Sequence, residues 1–321
     1  MPPTARPDSL RDEVLDFCRR QGFALAGICP AAPTSRPAEF DQWLADGKHA
    51  EMSWLAADAH TRKDPARELP SARSIIMVAD RYADGHPDPP PPPGVPWGRV
   101  ARYARGRDYH WFIKRRLHAL NDSLRVRFPD HLFRTFVDTA PVLEREHAAR
   151  AGLGWIGKHT LLIHPRDGSY LLLGGTLTSL DLGAADTLPP AVTDRCGTCT
   201  RCIDACPTRA ITPYSVNAAR CISYLTIEHQ SPIDPALAKD MGDWIFGCDI
   251  CQEVCPYNRP APGSPVNPAY ASDRRGFPLA DILAWDEPAK RRAIEGSAMK
   301  RASLDMLQRN ARIALENTLN S

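Results

Sequence analysis

The sequence has no apolar run long enough to span a bilayer. Its first residues, Met1 to Asp8, are rich in proline and lack the apolar core of a signal peptide. We therefore expect a cytoplasmic protein without a membrane partner. The chain also lacks heptads for a coiled coil or a large exposed apolar stripe, so we expect a monomer.

A strong charge of one sign is missing as well. The 40 Lys and Arg residues nearly balance the 38 Asp and Glu residues, which leaves a formal net charge of +2. The protein as a whole is therefore not a polycation, and any nucleic-acid site must be a local patch.

Cysteine is concentrated in one stretch that ends with Pro256. Its first run has the spacing C-x2-C-x2-C-x3-C-P of bacterial ferredoxins, which bind cubane iron–sulfur clusters, and consists of Cys196, Cys199, Cys202 and Cys206. The second run lacks one cysteine of that pattern and consists of Cys248, Cys251 and Cys255. Cys221, between the runs, can supply the missing thiolate. Together they make the eight ligands that two [4Fe–4S] clusters require.

The ferredoxin pattern also predicts how the ligands divide, because the cysteine before the proline binds the other cluster. One cluster is predicted to take Cys196, Cys199, Cys202 and Cys255. The other is predicted to take Cys206, Cys221, Cys248 and Cys251. A pair of four-cysteine zinc sites is the alternative, but zinc explains neither the three-cysteine run nor the two Cys-Pro ends. Two further cysteines, Cys18 and Cys29, lie in apolar surroundings and are predicted to be buried structural thiols.

The rest of the chain mixes helical and strand patterns, which favours a layered α/β or α+β core. Strands are predicted over 23–28, 74–79, 132–137, 161–164 and 170–178, and helices over 37–46, 109–128, 144–150 and from Ser9 to Gly22. The proline-rich stretch 85–94 is predicted to be an exposed loop. We expect a catalytic core over 1–190, a ferredoxin-like domain over 191–262 and a basic, mostly helical tail over 263–321.

Two features outside the cysteine region suggest chemistry. Asp138 stands at the carboxyl end of the strand predicted over 132–137, where α/β folds place catalytic groups, although an Asp at a strand-to-helix turn can equally be a helix cap. Basic residues gather in two places, where they are either solvated or face an anionic partner. They are Arg99, Arg102, Arg105 and Arg107 in the first place and Lys300, Arg301, Arg309 and Arg312 in the second.

The chain resembles the epoxyqueuosine reductases over nearly its whole length. The motifs that carry the resemblance, besides the cysteine runs, are RYARGRDYH (102–110), VDTAPVLERE (137–146), AARAGLGWIGKHTLLI (148–163), RCISYLTIE (220–228), GCDICQEVCPYN (247–258) and LQRNARIAL (307–315). The resemblance implies a cobalamin-binding core similar to that of reductive dehalogenases, with cobalamin and two [4Fe–4S] clusters as cofactors. It implies reduction of epoxyqueuosine to queuosine at the wobble position of tRNA, the last step of queuosine synthesis. An external low-potential donor would supply the electrons, and the clusters would pass them to cobalamin.

The resemblance also assigns roles to residues. Asp138 matches the proposed proton donor, and we expect burial to raise its pKa so that it is protonated at neutral pH. The cobalamin contacts it implies are Arg62, Ala101, Asp138, Leu162, Leu173, Ser223, Cys248 and Asp249. The two basic groups of residues are the expected tRNA contacts. The resemblance suggests no histidine ligand to cobalt, so His110, His147 and His159 receive no such role.

Two departures and two rival functions stay open. His159 stands where family members often have asparagine, and many members continue into a helical-repeat domain that this sequence does not include. A reductive dehalogenase acting on a small organohalide would share the cofactors but would have no use for the basic tail. A two-cluster electron carrier without catalysis would need neither Asp138 nor the large region before Cys196.

Overall fold

The computed structural model describes residues 9–184, 192–259 and 265–320. The stretch 1–8 and the expected domain boundaries at 190 and 262 lie outside these residues. The helices are α1 Leu10–Arg20, α2 Pro37–Ala45, α3 Ser53–Ala57, α4 Ala59–Lys63, α5 Tyr109–Arg127, α6 Glu144–Arg150, α7 Arg201–Asp204, α8 Ile222–Ile227, α9 Pro235–Asp240, α10 Ile250–Glu253, α11 Leu279–Ala284, α12 Glu287–Ala293 and α13 Leu304–Leu319. The strands are β1 Leu25–Pro30, β2 Ser74–Arg81, β3 Trp97–Val100, β4 Phe133–Phe136, β5 Trp155–Ile156, β6 Leu162–Ile163, β7 Leu171–Thr178, β8 Ile211–Thr212, β9 Ser215–Val216, β10 Trp244–Phe246 and β11 Gly276–Pro278.

The main sheet has four antiparallel strands in the order β1-β2-β7-β4. Every residue of β2 is buried, because helices cover both faces of the sheet. On one face Ile76 and Val78 pack in a core with Ile113 and Leu117 of α5. On the other face Met77 packs in a second core, to which α6 contributes. Side chains that alternate along a strand reach opposite faces, which explains the two cores.

A smaller sheet joins three distant parts of the chain. Its order is β10-β3-β11, with β3 parallel to β10 and antiparallel to β11. Arg99 on β3 is in register with Trp244 on one side and with Gly276 on the other. The three regions expected from the sequence thus contribute one strand each to a single sheet.

The tail helix α13 is bonded to this sheet. The buried side-chain amide of Asn310 donates to the backbone oxygens of Thr226 and Ile245, at 3.0 and 2.9 Å. A buried carbonyl without a partner is costly, so these bonds fix the angle at which α13 packs.

The helices start where polar side chains can cap them. Ser9, Asp108 and Ser303 each accept a hydrogen bond from a backbone N–H in the first turn, of α1, α5 and α13 respectively. The mixed fold, the principal strands and these helices confirm the expectations from sequence. The strand predicted over 161–164 is reduced to the two residues of β6, and no helix of the described ranges is long and apolar enough to cross a membrane.

Candidate active site and cluster ligands

The electrostatic neighbours of the thiols in the cysteine region fall into two sets, although within the described residues no three such side chains lie close enough together to hold a metal ion. In the first, burial raises the pKa of the Cys255 thiol to about 11, and the nearby Cys196, Cys202 and Cys199 add to that effect. Cys255 and Cys196 also pack in the same small apolar cluster. The Lys158 ammonium donates to the backbone oxygens of Gly197 and Cys199, at 2.6 and 3.0 Å. These bonds connect the motif at 148–163 to the first cysteine run.

The second group surrounds Cys251. Burial raises the pKa of that thiol well above its usual range, and Cys248 and Cys221 raise it further. Cys206 likewise raises the pKa of the Cys221 and Cys248 thiols. These neighbours are the ones that the ferredoxin spacing assigns to the second cluster. Thiols must lose their protons to bind metal, so raised pKa values make metal binding release protons.

Asp138 lies two residues after the end of β4, on the loop that leads to α6. Its backbone is in the left-handed region, with φ of 57°, a conformation that Asp and Asn tolerate better than most residues. The Glu144 carboxylate accepts a hydrogen bond from the Asp138 backbone N–H at 2.6 Å and holds this turn. The side chain of Asp138 is 62% exposed, so the carboxylate is open to a ligand.

A row of charged groups leads from the surface to Asp138. The Lys300 ammonium lies 2.6 Å from the Asp108 carboxylate. The other Asp108 oxygen lies 2.7 Å from His110 Nδ1, and His110 Nε2 lies 3.4 Å from the Asp138 carboxylate. His110 stands in the first turn of α5, and Asp108 is the cap of that helix.

This row decides which groups carry protons. Partial loss of solvent around the carboxyl group would by itself raise the pKa of Asp138, but the hydrogen bond and positive charge of His110 outweigh this effect and lower the pKa. Among the protein's own groups the pKa of Asp138 is therefore lowered; the expected rise concerned burial beside a bound corrin and stays a prediction. Burial lowers the pKa of His110, but the two carboxylates outweigh it and raise the pKa to about 9. Burial also raises the pKa of Glu144 to about 8. Near neutral pH the protons are on His110 and Glu144.

Several predicted cofactor contacts come together around Tyr103. Loss of solvent raises the pKa of the half-buried Tyr103 phenol, and the charges of Asp138 and Asp249 raise it further, so both carboxylates lie within electrostatic range of it. The carboxylate of Asp249 accepts a hydrogen bond from the Arg102 backbone N–H at 2.7 Å. The Ala101 backbone N–H donates a hydrogen bond to the backbone oxygen of Phe246, two residues before Cys248.

Arg62 approaches the same place from α4. Burial lowers its pKa, and the charges of Asp58, Asp138 and Glu144 counteract that effect. Its buried Nε has no hydrogen-bond partner among the described residues. A buried guanidinium donor without an acceptor points to a group that binds there.

Other predicted contacts lie deeper or farther away. Leu162 is buried in the second core of the main sheet, and Leu173 packs against that core. Ser223 is half-buried on α8, and its backbone oxygen accepts from the Thr226 hydroxyl. The structure thus brings Arg62, Ala101, Asp138 and Asp249 together more closely than these three.

The predicted tRNA contacts divide into internal and exposed residues. Arg105 is buried and forms a two-bond pair with Asp88, at 2.8 and 2.6 Å. Arg309 donates to the backbone oxygens of Leu225, His229 and Ser231. Arg102 and Arg99 pair with protein carboxylates as well. These guanidinium groups hold the fold together, which argues against an RNA contact. Arg107, Lys300, Arg301 and Arg312 are exposed.

The sequence reasoning missed His110 and Glu144 as members of the site. Both lie in motifs that were noted, at 102–110 and 137–146, but nothing in their spacing shows that they meet at Asp138. His147 and His159, the other two histidines considered as cobalt ligands, are buried in the core. Burial lowers the pKa of His147 and of His159 to about 4 in each case.

Comparison with known proteins agrees with this arrangement. Residues 62–139 match the family model "Epoxyqueuosine reductase QueG, DUF1730", and residues 195–258 match that of a 4Fe-4S double cluster binding domain. The epoxyqueuosine reductase of Alicycliphilus denitrificans is 40% identical over 313 residues, which cover 94% of this chain and 86% of the relative. The chain belongs to the epoxyqueuosine reductase family. The Escherichia coli member is 37% identical, over 97% of this chain and 82% of that protein.

Solved epoxyqueuosine reductases share the fold. The Streptococcus thermophilus structure superposes with a TM-score of 0.84 at 28% identity, over 96% of this chain and 81% of that one. A Bacillus subtilis structure, with a TM-score of 0.85 at 27% identity over the same shares, has the loop of a catalytic aspartate swung out of its active site. Another, with a TM-score of 0.84 at 27% identity, contains an epoxyqueuosine-modified tRNA stem loop. The expected α+β fold, the oxidoreductase family and the 4Fe–4S double cluster domain are confirmed, and the match to that domain favours iron–sulfur over zinc.

Proposed function

We propose that this protein reduces epoxyqueuosine at the wobble position of tRNA to queuosine. The observation that carries the proposal is the row Asp108–His110–Asp138 beside a buried arginine, in a chain of the epoxyqueuosine reductase family. A two-cluster electron carrier would have no use for this row. The electrons come from an external low-potential donor, and the reaction takes place in the cytoplasm, where tRNA is found.

The clusters are proposed to follow the two thiol groups. Cys196, Cys199, Cys202 and Cys255 bind one [4Fe–4S] cluster, and Cys206, Cys221, Cys248 and Cys251 bind the other. Cys202 also raises the pKa of Cys251, a member of the other group. This proximity supports transfer of single electrons from one cluster to the next.

The residues near Asp138 fit a cobalamin, which carries many amide oxygens and a phosphate. The unpartnered Nε of Arg62 supplies a buried donor for such an acceptor. The proposed contacts are Arg62, Ala101, Asp138, Leu162, Leu173, Ser223, Cys248 and Asp249, of which Ala101 and Asp249 have the least free surface. When bound, a cobalamin supplies a reduced cobalt centre that can give electrons to an epoxide carbon.

The protein's own part of the chemistry is proton supply. Removal of the epoxide oxygen as water takes two electrons and two protons. Asp138 is the open carboxylate at the end of the row, and His110 holds a proton at Nε2, 3.4 Å from it. We assign delivery of the first proton, to the oxygen that leaves the epoxide, to Asp138, which receives it from His110. The second proton comes from solvent, to which the Asp138 side chain is 62% exposed. General acid groups of this kind contribute about 10²- to 10⁴-fold to the rate.

The test is a single-turnover assay with protein reconstituted without oxygen from iron, sulfide and cobalamin. A low-potential reductant and tRNA carrying epoxyqueuosine are added. The tRNA is then digested, and the masses of its nucleosides are measured by mass spectrometry. We expect the loss of one oxygen with wild type, and a rate lower by about 10²-fold or more with Asp138→Asn. Asn tolerates the left-handed turn, so this variant removes the acid without straining the backbone. Asp281→Asn, an exposed change on α11, is the matched control.

Two results would contradict the proposal in different ways. An Asp138→Asn protein with the wild-type rate would reject the proton role. A nucleoside that stays intact, although both clusters and cobalamin are bound, would reject the substrate and favour the dehalogenase.

A further inference from the structure

The outer face of α5 has a composition that the catalytic site does not use. Trp111, Lys114, Arg115 and His118 form what we name the α5 face. At 3.6 residues per turn they fall on one stripe of the helix. They line a shallow depression of about 580 Å³ together with Ala119 and Asp122. Trp111 is 55% exposed, which is unusual for so large an apolar ring.

The cations of this face are not neutralised by the protein. Within the described residues, Lys114 and His118 form no ion pair and no side-chain hydrogen bond, and the Arg115 guanidinium rests over the Trp111 ring at 5.0 Å. The acid at the far end, Asp122, is paired with Arg125 at 2.8 Å. The α5 face thus differs from Arg105 and Arg309, which are bonded inside the fold.

Trp111 is held in a defined position. Its ring packs edge-on against Phe112, with centroids 4.8 Å apart, while Arg115 lies over it. A fixed, exposed indole flanked by cations suits single-stranded nucleic acid, because bases stack on the ring and phosphates bind the cations. A plain solvated helix face has no need for a large exposed ring.

The α5 face also lies beside the proposed reaction centre. Trp111 follows His110 directly, and Lys114 is one helical turn from His110 on the same flank. His110 in turn reaches Asp138. At the start of α5, Lys300 extends the basic surface and is 72% exposed. Nucleotides next to one bound at Asp138 would therefore meet this face.

We infer that the α5 face binds loop nucleotides of the tRNA that flank the reacting nucleoside, with Trp111 stacked on a base and Lys114 and Arg115 bound to phosphates. This inference rests on the proposed function. It adds a binding surface that the basic patches found in the sequence did not include.

The test is equilibrium binding of a fluorescently labelled, unmodified anticodon stem-loop RNA to the cluster-loaded protein, over a series of salt concentrations. Trp111→Ala should weaken binding by roughly 5- to 150-fold and leave the salt dependence unchanged, as loss of one stacked base does. Trp111→Phe should restore most of the affinity. Changing Lys114 and Arg115 together to Ala should reduce the slope of log K against log salt by about 1.4, the value for two phosphates of a single strand.

The matched control replaces Arg291 and Arg292 by Ala, two exposed residues of α12, and should leave both quantities unchanged. Iron content and thermal unfolding show whether each variant is folded. Wild-type affinity and salt slope in both α5 variants would overturn the inference and leave the proposed function standing. A wild-type protein that binds no RNA would overturn both.

Discussion

The charge row at the active site makes a pH profile the most direct test of its chemistry. Asp108 provides the closer of the two carboxylates around His110, at 2.7 Å, and also caps α5. Asp108→Asn removes the negative charge, but Asn is an equally good cap, so the helix should start at the same residue. The change thus isolates the electrostatic effect on the imidazole.

The expected size follows from the pKa of His110, which the two carboxylates raise from 6.5 to about 9. Loss of one opposite charge at this range shifts a pKa by about 1–3 units. If the His110 pKa falls to about 7.5, its protonated fraction near pH 8.5 falls about 8-fold, and near pH 6 it hardly changes. Release of Lys300 from its partner adds a positive charge nearby and acts in the same direction.

The assay is the single-turnover rate of epoxyqueuosine reduction as a function of pH. We expect the wild-type rate to fall on the alkaline side through about pH 9, and the Asp108→Asn rate to fall roughly one to two units earlier. Lys300→Ala is the control, because it removes the exposed partner of Asp108 and should leave the alkaline limb in place or move it slightly upward. An Asp108→Asn profile that coincides with that of wild type would show that His110 is not the proton source.

Two further changes test the other buried groups. Burial raises the pKa of Glu144 from 4.5 to about 8, so the folded protein binds one more proton than the unfolded chain between these values, and stability falls as pH rises. Glu144→Gln keeps the acceptor for the Asp138 N–H and should remove that decline in stability, which is at most about 1.4 kcal/mol per pH unit. Denaturant unfolding at several pH values measures it. A decline that persists in the variant would show that other groups cause it. Cys221→Ala should lower the iron content by about half and leave one [4Fe–4S] signal, since each cluster needs four cysteines. The control Cys18→Ala, in the core, should retain both clusters. Full iron content in Cys221→Ala would reject the proposed ligand set.

The sequence predicted those features that depend on local pattern. The spacing of the cysteines predicted two sets of cluster ligands, and that division stays a prediction. The apolar run at 74–79 predicted β2, and the amphipathic pattern over 109–128 predicted α5. In these cases the determining residues lie within a few positions of each other.

The features that the sequence did not reveal depend on pairs that are distant along the chain. The charge of Arg105 is neutralised by Asp88, and the Arg309 guanidinium donates hydrogen bonds to backbone oxygens about 80 residues away. A basic run cannot show which of its members find such partners in the fold. The lowered pKa of Asp138 has the same origin, because it depends on His110, 28 residues earlier. Composition predicted that a basic patch exists but not which residues remain exposed.

The three-stranded sheet has a consequence for how the protein assembles. Its strands come from residues 97–100, 244–246 and 276–278, so one long loop must close before the first pairing with β3 forms. Such contacts of high sequence separation make folding slow. The strand 244–246 ends two residues before Cys248, and oxidative loss of the second cluster would loosen the segment that anchors it. The protection of the amides of β3 and β11 against hydrogen exchange should therefore report on a cluster to which neither strand contributes a ligand.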